Sequence, residues 1–264
     1  MLNIEGIFWC GLFFILGPSL ILLNNYILNK VVLLDDPTCH FRYPILLSSL
    51  GMFGTFIFTR IGNFFKFLNV ANFPTWDYWL TRILPIGLLS AATMGTGNSV
   101  YLHLSVSFTQ MLKALTPVYI LMCLVLFKVE IPTTNVIFSV CVISIGTIIA
   151  SFGEINFSWN GFILQSLADL FEGSRLVLLQ ILVGGTSGFS PIESLYHLAP
   201  ATAMCQLAMI FLYERSALTS PKTVALICEY KLVFITATLL GIAINFIGMC
   251  IYLCCNPFYR YVCY

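Results

Sequence analysis

Apolar runs of about twenty residues, nearly free of charge and joined by short polar connections, leave this 264-residue chain one broad solution, a set of helices that cross a bilayer. Backbone N–H and C=O groups find no partners in lipid, so each run must close its hydrogen bonds within itself. Runs at residues 7–28, 43–58, 83–102, 136–152, 161–183, 192–213 and 232–253, with another ending at Lys128, make about eight spans of the length a crossing needs. The chain is 59% hydrophobic and 9% charged with a mean hydropathy of +0.95, which excludes a soluble domain. The expected class is an all-α polytopic membrane protein surrounded by lipid. A net charge of +1 predicts no nucleic-acid partner. Cys10, Cys123, Cys141, Cys205, Cys228 and Cys250 lie singly in apolar runs, where cysteine behaves as a small hydrophobe. Without a CxxC pair, neither metal, cofactor nor disulfide framework is expected. The first residues, MLNIEGIFW, hold an acid and no cation, so no removable signal peptide is expected and the first span serves as its own insertion signal.

Against this background one residue stands out. Lys113 lies within NSVYLHLSVSFTQMLKALTP, just before the wholly apolar stretch at 118–127. A charge at the centre of a membrane helix costs about 2.5–3.5 kcal/mol even on lenient scales, so it implies a wet cavity or a partner. At 100° per residue, Ser105, Thr109, Lys113 and Thr116 form one stripe, opposed by Phe108, Leu112, Leu115 and Tyr119. Pro117 has no N–H, so the carbonyl of Lys113 is expected to be open to water or a ligand. A hydroxyl-lined cationic site for an anion follows; a lysine reaching the interface, or paired with an acid, is the other reading.

The remaining polar groups in the spans add candidates. Lys30 either reaches the interface or turns inward beside Asn24, Asn25 and Asn29. Asn98, after a run of small residues suited to close helix packing, lies near one mouth of the Lys113 stripe. Arg60, Lys66 and Arg82 make the connection 60–82 basic, and its Trp76, Tyr78 and Trp79 resemble an interfacial belt. In the sixth span Glu172 and Arg175 have the i,i+3 spacing of an ion pair, which competes with a substrate role for Arg175. Tyr196, His197 and Pro200 open the seventh span, and residues 214–222 form an exposed loop. The sequon at Asn156 stands too close to the bilayer for glycosylation to be expected. Lysine and arginine counts balance across the two sides, so charge alone does not orient the chain. No GxSxG turn, HExxH helix or aspartate-rich metal motif is present, and an enzyme is not expected.

The segments YLHLSVSFTQMLKALTPV at 101–118, GTIIASFGEINFSWNGFILQ at 146–165, FEGSRLVLLQILV at 171–183 and SPIESLYHLAP at 190–200, with looser agreement at ILNK and RYP nearer the start, resemble the triose-phosphate and nucleotide-sugar transporter family of the drug/metabolite transporter superfamily. The nearest likeness is to its plant and fungal sugar-phosphate translocator-like subgroup. The resemblance implies ten helices in two inverted five-helix repeats around a midplane site. Here that gives a first repeat at 1–153, three helices of a second at 154–253, and a divergent tail at 254–264. It implies antiport of a sugar phosphate or nucleotide sugar against phosphate or a nucleoside monophosphate across a Golgi or endoplasmic-reticulum membrane. Lys113 would contact phosphate, with Asn98, Thr109, Tyr196, Lys30 and Arg175 shaping the cavity; pairing with a second copy stays open. Plastid members carry a histidine in the register of Met94. The likeness fades after Asn245 and Phe246, so two further helices are expected to be missing, and a truncated, non-transporting product is the alternative.

Overall fold

The computed structural model describes residues 4–33, 36–66, 68, 70, 74–129, 132–151, 158–184 and 191–255. All eight expected spans are helical. They are α1 (Ile4–Lys30), α2 (Pro44–Phe64), α4 (Leu84–Val100), the broken pair α5 (Val106–Lys113) and α6 (Thr116–Leu126), α7 (Thr134–Ser151), α8 (Trp159–Gly184), α9 (Pro191–Tyr213) and α12 (Lys231–Cys255). Among the described residues, five helical stretches are long and apolar enough to cross a membrane, with Val106–Leu126 counted as one and the apolar Thr134–Ile149 shorter. Helix α8 carries Asp169, Glu172 and Arg175 within its 26 residues. The chain is an all-α polytopic membrane protein.

The connections are more ordered than their sequence suggests. The polar turn after α1 contains a short antiparallel pair, β1 (Val32–Leu33) with β2 (Asp36–His40). The stretch before α4 is a helical turn, α3 (Trp76–Tyr78), running through a π-helical turn at Trp79–Ile83. Arg60, expected in that connection, lies inside α2 because the helix continues to Phe64. The region expected as an exposed loop at 214–222 contains α10 (Arg215–Thr219) and the start of α11 (Pro221–Glu229). Asn156 and Phe157 of the sequon and most of the glycine-rich turn at 184–191 lie outside the described residues.

In a bilayer, lipid offers apolar side chains as good an environment as protein does, so helices are held by close packing and polar contacts. Helix α1 packs on α12, α4 on α8 and α9, α2 on α9, α12 and α4, and α6 on α8. Small residues mark the closest crossings. A Cβ built on Gly87 would lie 2.8 Å from that of Ala201, and one on Gly173 would meet the backbone of Tyr119 and Ile120 at 3.0 Å. The outward faces remain apolar, with Phe14, Ile15, Phe138 and Ile149 exposed toward lipid. One end is closed by Ile27, Leu28, Phe41, Leu47, Leu226 and Phe234, where Phe41 meets Phe234 edge to face at 5.0 Å.

Candidate functional site

Lys113 is the last residue of α5, half-buried, at the break between α5 and α6. The break follows from the sequence: Pro117 cannot donate to the carbonyl of Lys113, and the chain turns through Ala114 and Leu115 before α6 begins. That carbonyl is not open, as the sequence suggested. Thr116 donates its hydroxyl to it at 2.7 Å, so the proline's missing N–H is replaced locally.

The Lys113 side chain lines a cavity of about 250 Å³ between α1, α2, α4 and α12. Its polar wall consists of Asn24, Ser48, Thr93, Asn98 and Asn245, with Met52, Met94, Tyr101 and Ile244 among the apolar groups. Two glycines, Gly51 and Gly241, line it where α2 and α12 approach. The wall is preset by its own hydrogen bonds. Asn24 donates to Asn98 at 3.4 Å, Asn98 lies 3.5 Å from the Pro44 carbonyl, and Asn245 donates to Thr55 at 3.0 Å. Behind Ser48 and Met94, the wholly buried Gln206 turns its amide nitrogen toward both, at 3.2 and 3.5 Å, while its Oε1 has no partner among the described residues. No carboxylate among the described residues comes within ion-pair distance of the Lys113 amine. An ammonium group facing amides and hydroxyls without a neutralising acid suits an oxyanion, which would accept from lysine and the neighbouring donors together.

Of the residues expected around this site, Lys113 and Asn98 come together and four do not. Thr109 is fully buried and donates to the Ser105 carbonyl at 2.9 Å. The proposed water-facing stripe fails there because α5 lasts only two turns and is packed around Phe108, Thr109 and Leu112. Lys30 ends α1, is exposed and does not line the cavity. Arg175 pairs with Glu172 at 2.5 Å, the ion pair that their spacing anticipated. Tyr196 belongs to a different cavity of about 380 Å³, lined by Arg60, Trp76, Trp79, Tyr196 and His197. There Arg60 donates to the Tyr196 hydroxyl and lies 4.0 Å from its ring centroid.

Sequence reasoning missed Ser48, Thr93, Tyr101 and Asn245 as cavity residues. Ser48 is one of two adjacent serines in α2, Thr93 one of several small polar residues in α4, Tyr101 lies just past that helix and Asn245 sits in apolar α12, and only the packing of α2, α4 and α12 brings them to Lys113. Asp169 was visible as an intramembrane acid, but its neighbours were not. It is buried, and its Oδ1 accepts from Gln165 at 2.9 Å and lies 3.1 Å from the Thr116 hydroxyl.

Residues 8–256 match the Triose-phosphate Transporter family. A "Probable sugar phosphate/phosphate translocator" of Arabidopsis thaliana is 38% identical over 206 residues, covering 77% of this chain and 56% of that protein. A second relative with the same description, from the same plant, is 33% identical over 190 residues, covering 71% of this chain and 57% of its own length. The chain thus spans about half the length of the curated relatives it matches. With the match running through nearly every helix described above, this chain belongs to the Triose-phosphate Transporter family.

Proposed function

We propose that this protein carries a phosphorylated sugar across a membrane in exchange for phosphate, with Lys113 gripping the phosphoryl group. The observation that supports this best is the half-buried Lys113 amine on the wall of a polar cavity between helices, with no carboxylate at ion-pair distance. One charge-assisted hydrogen bond contributes about 1.5–3 kcal/mol, so lysine alone holds a phosphate weakly. The amides of Asn24, Asn98 and Asn245 and the hydroxyls of Ser48 and Thr93 supply further donors and acceptors suited to a sugar. A volume of about 250 Å³ lies below the range of roughly 300–1,000 Å³ for drug-sized ligands, and so favours a sugar monophosphate over a bulkier nucleotide sugar. The similarity to relatives described as probable sugar phosphate/phosphate translocators supports the same reading. We place the carrier in an endomembrane, the Golgi or endoplasmic reticulum, as the subgroup likeness implies.

The packing also supports two related halves, residues 1–153 and 154–253. Exchanging α1 with α8, α2 with α9 and α4 with α12 turns the α1–α12 contact into α8–α4, and α2–α12 into α9–α4, while α2–α9 maps onto itself. That is the pattern of an internal repeat, and the cavity lies against helices of both halves.

The test is counterflow. Purified 264-residue chain in liposomes loaded with phosphate should take up labelled external phosphate, and external sugar monophosphates should compete. Uptake no faster than in protein-free liposomes would identify a product that does not transport.

A further inference from the structure

The second cavity, of about 380 Å³, has no part in the exchange proposed above. It lies where α2 ends and α9 begins: Arg60 comes from α2, Tyr196 and His197 from α9, and Trp76 and Trp79 from α3 and the π-helical turn after it. Arg60 stands about two helical turns, roughly 12 Å, beyond Met52, the last α2 residue on the Lys113 cavity, and the two cavities share no wall residue.

Arg60 is the informative group. Arginine at the edge of a span ordinarily trails a mobile head into the headgroup layer. Here the head is fixed. Its guanidinium lies 4.0 Å from the centroid of the Tyr196 ring and 5.4 Å from that of Phe56, and one N–H donates to the Tyr196 hydroxyl. Tyr196 is itself buried, so this platform is part of the packed fold. A guanidinium carries five N–H donors. Among the described residues Tyr196 is the one hydrogen-bond partner of this guanidinium, and no carboxylate among them comes within ion-pair distance. Most of its donors and its whole charge are therefore available at the cavity that it lines.

The walls define what kind of anion fits. A planar guanidinium matches the paired oxygens of phosphate or carboxylate. A volume of about 380 Å³ is more than one small ion fills and falls in the range of organic ligands, roughly 300–1,000 Å³. His197 brings a buried imidazole to the same wall, and Trp76, three-quarters exposed, meets Trp79 edge to face at 5.5 Å. The stretch 60–82 holds Arg60, Lys66 and Arg82 against one acid, Asp77, so the surroundings attract anions. Tryptophans at the edge of a membrane protein sit at the level of the headgroups, where the anions are phosphate esters.

We propose that this cavity binds a phosphate ester, with Arg60 holding the phosphoryl oxygens and Trp76 and Trp79 covering the organic part. A phospholipid headgroup and a water-borne sugar phosphate present the same group to it. The site is separate from the one at Lys113 and does not rest on transport.

The test is modification of the detergent-purified full chain by phenylglyoxal, which reacts with accessible guanidinium groups, read residue by residue by mass spectrometry. Arg215 is the internal reference: it is exposed and lies 5.0 Å from the Phe211 ring centroid, but lines neither cavity. Glycerol phosphate in solution, or dioleoylphosphatidylglycerol added to the micelles, should slow the reaction at Arg60 about tenfold relative to Arg215 once the probe exceeds its Kd about tenfold. Slowing by glycerol phosphate points to a water-borne ester, and slowing by the lipid alone to a headgroup. Because the readout is at Arg60 itself, it is independent of what Lys113 binds and needs no variant that must fold. Unchanged rates with both probes, the behaviour of an arginine that merely reaches the interface, would overturn the proposal, as would equal slowing by sodium chloride at matched ionic strength.

Discussion

The backbone N–H of Ile45 donates to the Glu214 carboxylate at 2.8 Å, and the next N–H, of Leu46, reaches its other oxygen at the same distance. Pro44 has no N–H and Leu47 donates to the Tyr43 carbonyl, so these are the two free donors inside the first turn of α2, and a residue just past the end of α9 meets both, a bidentate cap supplied from across the fold. No side chain within α2's own cap does this work. Glu214→Ala should lower stability by about 1–3 kcal/mol, the cost of leaving buried donors unmet. Thermal unfolding in detergent reads this directly.

The same group gives a pH dependence. Burial raises the Glu214 carboxyl above its ordinary value of 4.5, while the bonds from Ile45 and Leu46 act the other way. The folded state therefore holds the proton more tightly than the unfolded chain, so Glu214's contribution is complete below about pH 4.5 and declines as pH rises through the raised value. The melting temperature of the native chain should show this decline and Glu214→Gln should lack it. Parallel curves for the two would refute it.

The α2–α12 crossing yields an internally controlled comparison. A Cβ added at Gly241 would lie 3.0 Å from the Cα of Gly51, whereas one added at Gly51 meets the Cα of Gly241 at 3.5 Å, an ordinary contact. Both changes gain about 0.5–1 kcal/mol of helix propensity. Gly241→Ala should nevertheless destabilise by about 1–3 kcal/mol as backbone is pushed from backbone, and Gly51→Ala should be neutral or stabilising. Melting temperatures of the two variants side by side check the geometry of the cavity wall.

Just past the end of α6, after Phe127, Lys128 has a φ of 54°. Its N–H bonds to the Val125 carbonyl and that of Val129 to Leu124, the paired closure that normally uses glycine. Lys128→Gly removes the steric penalty of a Cβ in this conformation and should raise stability by a few tenths to about 1 kcal/mol. A lower melting temperature would contradict the assignment.

These features show how far the sequence could be read. The helices were legible because lipid imposes about twenty apolar residues per crossing, and the Glu172–Arg175 pair because its spacing is local. Lys113 was legible because a cation in lipid needs a reason. Its surroundings were not, since Asn24, Ser48, Thr93 and Asn245 converge on it from helices whose mutual rotation no periodicity specifies. Thr109 was misread for a related reason: it precedes Lys113 by one turn of α5, yet packing buries it together with Phe108 and Leu112, which a stripe drawn on an isolated helix does not foresee. The Glu214 cap looked like loop because its partners lie far away in the chain, at Ile45 and Leu46.

The central claim concerns the Lys113 ammonium, and phosphate counterflow into liposomes carrying the native chain, Lys113→Gln or Lys113→Arg measures it most directly. Native chain should exchange, Lys113→Gln should fall to the protein-free rate, and Lys113→Arg should keep part of the activity by retaining the charge. Exchange by a folded Lys113→Gln variant at the native rate would contradict the account.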